Sequence, residues 1–83
     1  MSKAGSTKKS DVLVTVEHAS RTTVHVGSTL GPLYHDRIAK VIRSTVKPLG
    51  GKVKVTAEDN GAPDWVVRAR TETACRRLNQ QEG

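Results

Sequence analysis

The side chains able to do chemistry in this 83-residue chain are few and scattered. His18, His25 and His35 fall on separate elements, at spacings that do not converge on a zinc ion. Cys75 has no second cysteine and no adjacent base to make its thiol a nucleophile. No phosphate-loop or dinucleotide-binding glycine pattern occurs. The histidines and Cys75 are therefore expected in structural or solvent-exposed roles. No residue is assigned as catalytic or as a metal ligand, and an enzyme acting alone is not expected. What remains is binding or carrying. Met1 to Ser10 is built from Ser, Lys, Gly and Thr without apolar periodicity, which predicts a mobile leader able to present a residue to several sites in turn.

Composition narrows the class further. A chain of this length forms one small domain that buries a modest fraction of its surface, so a stability of about 5 kcal/mol is expected. Phe is absent, and Trp65 and Tyr34 are the sole aromatics, so Val, Leu, Ile and Ala must make the core. A lone cysteine and the lack of any long apolar run predict a reducing, cytoplasmic location without signal peptide or membrane span. Fourteen Lys and Arg against eight Asp and Glu give a net charge of +6, which favours a polyanionic partner or an acidic protein surface.

The elements that must position these groups can be taken in order. Val12, Val14 and Val16 alternate with Leu13, Thr15 and Glu17 and predict a first strand. Thr22 to Val26 predicts a second, and the short link Ala19-Ser20-Arg21 predicts that the two pair antiparallel as a hairpin that Gly27 ends. Ile38, Val41, Ile42, Thr45, Val46 and Leu49 recur at helical spacing and place a helix over Leu33 to Lys47, stopped by Pro48 and Gly50-Gly51. Val53, Val55 and Ala57 alternate through a third strand, Lys52 to Glu58. Asn60-Gly61 breaks that pattern, Pro63 suits a helix start, and Asp64 complements the positive helix end, so a second helix begins near Ala62 and continues to about Leu78. Trp65 is expected to anchor it by packing. The predicted order is β-β-α-β-α, an α+β two-layer sandwich with a three-stranded sheet and both helices on one face. Residues 1–10 form a flexible tail, 11–79 a single domain and 80–83 a short polar tail.

The run Asp59-Asn60-Gly61-Ala62-Pro63-Asp64-Trp65-Val66-Val67-Arg68-Ala69-Arg70 resembles the C-terminal signature of the citrate lyase acyl carrier protein family, the gamma chain of that lyase. Ala4-Gly5, Ser10-Asp11-Val12 and Tyr34-His35-Asp36 followed by Ile38 fall in the family's order with similar gaps, so the resemblance covers nearly the whole chain. It implies an N-terminal serine esterified through phosphate to a 2'-(5''-phosphoribosyl)-3'-dephospho-CoA arm, whose thiol carries acetyl or citryl as a thioester. It also implies lyase alpha (acyl transferase) and beta (acyl lyase) partner subunits and an arm-transferring enzyme. The family's Ser-Gly-Asp or Ser-Ser-Asp is here Lys9-Ser10-Asp11, which puts Lys9 at the modified position in an ungapped match. Because the linkage needs a hydroxyl, Ser10 is the implied attachment residue, with Ser6 and Thr7 next. Arg68 and Arg70 match the family's Arg-Ala-Arg and are implied to bind the arm's phosphates or an acidic partner subunit.

The positive charge departs from the neutral or acidic character expected of such carriers. Two other readings are kept: the acyl carrier subunit of malonate decarboxylase, a related family that this chain resembles less, or of citramalate lyase; and, favoured by the charge, a small basic nucleic-acid-binding module. The nucleic-acid reading is disfavoured because the outward strand positions are Thr, His, Lys and Glu in place of stacking aromatics.

Overall fold

The computed structural model describes residues 1–82. Four strands and two helices run in the order β1 (Ser2–Gly5), β2 (Asp11–His18), β3 (Thr23–Ser28), α1 (Pro32–Val46), a 3-10 turn (Lys47–Leu49), β4 (Val53–Asn60) and α2 (Asp64–Glu82). The sheet order is β1-β2-β4-β3, with β1 and β4 antiparallel to β2 and with β3 parallel to β4.

This corrects the expected three-stranded β-β-α-β-α arrangement in two ways. The first correction is β1 itself, in the stretch that composition reads as a leader. Ser-Lys-Ala-Gly has little intrinsic strand preference, so no local signal marks it. The free edge of β2 and the core beneath it supply what propensity lacks: Ala4 lies opposite Val14 and is buried, while the Lys3 carbonyl accepts a 2.7 Å hydrogen bond from Arg77 Nη1.

The second correction concerns the hairpin. β2 and β3 do run in opposite directions, but β4 lies between them and pairs with both. Two strand spacings separate them, about 10 Å. The five Cα steps from His18 to Thr23 reach roughly 17 Å, so a short link crosses that gap as easily as it closes a hairpin. The crossing passes the start of β4, where the Ala19 amide donates to the Lys52 carbonyl at 3.1 Å. β4 takes the centre because its alternation is the most regular: Val53, Val55, Ala57 and Asp59 are all buried and the residues between them all exposed.

Both helices cover one face of the sheet. Val12, Val14, Val16, Val55 and Ala57 meet Ile38, Ile42 and Val46 of α1 and Val67, Ala74, Cys75 and Leu78 of α2 in one cluster. Helix α2 runs through the predicted polar tail to Glu82; Gly83, the last residue of that tail, lies outside the described residues. Trp65 is 72% exposed and anchors nothing inside the molecule, because Val67 and Thr71 occupy the inward positions of α2. No described helix is long and apolar enough to cross a membrane.

Candidate functional site

β3 and β4 are parallel, and each leads into a helix, so both strand ends and both helix starts lie at the same end of the sheet. β2 begins there too, which brings the β1–β2 loop, residues 6–10, to this end. The topology thus collects Ser6, Thr7, Ser10, Asp11, Ser28, Asp59 and Asn60, which are far apart in sequence.

The loop is short and pinned at its root. Gly5 closes β1 at φ +91, a conformation that side-chain-bearing residues rarely adopt. A Cβ there would collide with the Val12 carbonyl oxygen and would also crowd Cδ of Arg70 at 3.1 Å. Asp11 then gathers three partners. It accepts from the Ser6 hydroxyl (2.8 Å) and its own neighbour's amide, Val12 N (2.8 Å), and it receives Arg70 Nε and Nη2 at 3.1 and 3.3 Å, a two-pronged contact. Burial works against the charged carboxylate, but the Val12 amide, the Ser6 hydroxyl and the Arg70 guanidinium outweigh it and hold the Asp11 carboxyl below its ordinary value of 3.8.

A group with a depressed folded-state pKa contributes stability above its unfolded pKa and loses that contribution as pH falls through the folded one. Wild-type stability is therefore expected to drop below pH 3.8 in part through Asp11. Urea titrations at about pH 6 and about pH 3 should show a smaller difference for Asp11→Asn, and Arg70→Ala should cost about 1 kcal/mol at the higher pH.

At the loop's far end, Ser10 is exposed and holds φ +65, the left-handed region, while its amide donates to the Asn60 carbonyl at 2.7 Å. Lys8 O accepts from the Asp11 amide, closing a tight turn over Lys9 and Ser10. The Ser10 hydroxyl has no partner among the described residues. Ser6 is half-buried, and its hydroxyl donates to Asp11 and accepts from the Lys8 amide; Thr7 is exposed, and its carbonyl accepts from Asn60 Nδ2.

Asp59 and Asn60 organise the neighbouring segments. Buried Asp59 accepts from the Ser28 hydroxyl (2.8 Å) and the amides of Gly61 (3.2 Å) and Ala62 (3.0 Å), which fixes the turn into α2. Asn60 Oδ1 accepts from the Thr29 hydroxyl, so this one residue ties the loop of Ser10 to the start of α1. His35 Nε2 accepts the Ser28 amide at 3.2 Å, a structural use of an unprotonated ring nitrogen.

Ser10 and Arg70 are brought to either side of Asp11, whereas Arg68 is not. Two residues turn a helix by about 200°, so Arg68 faces away, exposed and without an ion pair among the described residues. Gly5, Asp11, Asp59 and Asn60 carry the site's geometry, and no chemistry visible in the sequence singles them out. The available signals were a glycine within the leader and an acidic-amide pair ending a strand. Cys75 is buried, and burial pushes its thiol up from the ordinary value, so it is poorly suited to hold a thioester. Among the described residues no three His, Cys, Asp or Glu side chains group as metal ligands.

A family model described as "Malonate decarboxylase delta subunit (MdcD)", of the acyl carrier protein type, matches residues 1–78. A citrate lyase acyl carrier protein of Streptococcus mutans is 42% identical over 82 residues, covering 95% of this chain and 80% of that protein. The chain belongs to this acyl carrier protein family. Other family members include the citrate lyase acyl carrier protein of Oenococcus oeni, 38% identical over 82 residues (95% of this chain and 84% of that one), and that of Halothermothrix orenii, 30% identical over 79 residues (93% and 84%). No solved structure matches the chain. The Lys9-Ser10-Asp11 turn of this chain seats one hydroxyl beside two lysines, Lys8 and Lys9, at a single exposed tip.

Proposed function

We propose that this chain is the acyl carrier subunit of a cytoplasmic citrate lyase-like complex, holding a covalent 2'-(5''-phosphoribosyl)-3'-dephospho-CoA arm on Ser10. The observation that supports this most directly is the Ser10 hydroxyl, exposed and unpartnered among the described residues at the tip of a loop whose root is fixed by Asp11, Ser6 and Arg70. The donor chemistry fits: a phosphodiester needs an accessible hydroxyl, and Lys8 and Lys9 beside it are exposed cations suited to the phosphate. When attached, the arm supplies the thiol that holds the acyl group.

The chain's own residues position and do not catalyse. Asp11 and Arg70 keep the loop root rigid, so the tether starts from a defined point and its far end is held at high effective concentration near each partner's active site. In this reading Arg70 acts on the loop through Asp11, and Arg68, exposed beside Trp65 on α2, is left to meet an acidic surface of the lyase alpha or beta subunit or of the arm-transferring enzyme. A carrier subunit of malonate decarboxylase is the second reading, favoured by the description of the matching family model. The acyl group is then malonyl, and the choice rests with the partner subunits.

Protein made together with the arm-transferring enzyme is expected to gain the mass of the arm, and Ser10→Ala is expected to stay bare. An unchanged wild-type mass in that host removes the carrier reading. An arm retained by Ser10→Ala moves the attachment to Ser6 or Thr7, which fragment masses locate.

A further inference from the structure

A shallow groove of about 290 Å³ opens beside the Ser10 loop, lined by Thr7, Gly27, Thr29, Glu58 and Asn60 among others. That volume is near the lower end for small-ligand sites, of order 300 Å³. Gly27 leaves it open: a Cβ there would meet no heavy atom within 4 Å, and its φ is not positive, so neither turn geometry nor crowding calls for glycine at this place. Gly27 lies opposite Glu58 in the β3–β4 register. Among the described residues the Glu58 carboxylate and the Thr7 hydroxyl have no partners. Asn60 Nδ2 uses one of its two hydrogens on the Thr7 carbonyl, and Thr29 Oγ1, a donor to Asn60, can still accept. The groove therefore offers a charged acceptor together with neutral donors and acceptors, the set that suits sugar hydroxyls. A carboxylate is a recurrent partner of ribose hydroxyls in nucleotide sites.

We infer that this groove seats the ribose of the arm nearest its attachment phosphate. The inference rests on the carrier reading at Ser10. The wall of the groove and the attachment loop are one structure, since the Asn60 carbonyl accepts the Ser10 amide and its side chain holds Thr7. Charge sorts the two parts of the arm: Glu58 repels phosphate, whereas Lys8 and Lys9 in the loop attract it, which leaves the groove to the uncharged sugar. Tethering raises the local concentration to roughly the millimolar range, so a weak seat is enough to be filled. Seating the root shortens the freely moving part of the arm and fixes the direction in which it leaves the molecule.

The test compares backbone amide NMR shifts of arm-loaded and bare protein, with loading verified by mass in the same sample. Loaded wild type is expected to shift Gly27 and Glu58 as well as the residues adjoining Ser10. Gly27→Trp, which fills the groove, should abolish the Gly27 and Glu58 changes while keeping those at Lys9 and Asp11. Glu58→Gln should diminish them, and it serves alone if Gly27→Trp folds poorly. Shifts confined to residues 8–12 in loaded wild type, or groove shifts that persist unchanged in both variants, overturn the seat and leave the carrier reading standing. A sample that never loads overturns the carrier reading and this inference with it.

Discussion

Gly5→Ala is expected to destabilise the protein by about 3 kcal/mol, the sum of forcing a side-chain-bearing residue to positive φ and of displacing backbone. Gly5 sits at φ +91 between β1 and the Ser10 loop, and a methyl group there is driven into the Val12 carbonyl oxygen of β2, a main-chain atom that a rotamer change cannot move aside. The strain can be relieved by letting β1 come away from β2. That removes Ala4 from the core. In a domain whose whole stability is about 5 kcal/mol, such a loss leaves a substantial unfolded population. Urea unfolding should show a much lower midpoint, and amide exchange should show the β1–β2 ladder losing protection first. A midpoint like that of the wild type would mean that β1 does not hold this register in solution.

The second large effect is expected from Asp59→Ala, at about 2–3 kcal/mol, because a buried acceptor serving three donors is removed and the donors are left behind. The Ser28 hydroxyl and the amides of Gly61 and Ala62 lose their partner together, so the β3–α1 and β4–α2 connections loosen at once. Asp59→Asn can keep an acceptor oxygen for the Ser28 hydroxyl and the Gly61 amide, but it turns its NH2 toward the Ala62 amide that Oδ1 serves, so it should recover only part of the loss. Urea midpoints of the two variants check this ordering. Equal losses would show that one acceptor oxygen is not enough and that the turn needs both carboxylate oxygens. Because Asn60 follows directly and holds Thr7 and the Ser10 amide, the Ala variant should also broaden the NMR signals of the Ser10 loop.

How much of this was legible in the sequence varies from element to element. α1 was predicted to within a residue, because Ile38, Ile42, Thr45 and Val46 repeat at helical spacing and Pro48 with Gly50 ends the run. β4 and β2 were visible as alternating valines that the structure buries on one face. β1 was not visible, since Ser2 to Gly5 becomes a strand through the edge offered by β2 and through Arg77, a residue 74 positions away from Lys3. The hairpin of β2 and β3 was misplaced for a related reason: a short link fixes strand direction but does not forbid a third strand from entering between. Trp65, expected inside, is outside because helical phase, and not hydrophobicity, decides which residues of α2 face the sheet.

The candidate site divides along the same line. Local chain chemistry was enough to locate a hydroxyl-rich basic loop, an Asn-Gly turn into a helix and an Arg-Ala-Arg pair, because turns, periodicity and charge are written in near neighbours. That Arg70 grips Asp11 while Arg68 points elsewhere, that Asn60 carries the loop of Ser10, and that Gly27 and Glu58 open a groove beside it depended on which strands became neighbours. Strand adjacency is a long-range competition for one buried face, and in it β4 displaced the partner that proximity in the chain would have chosen.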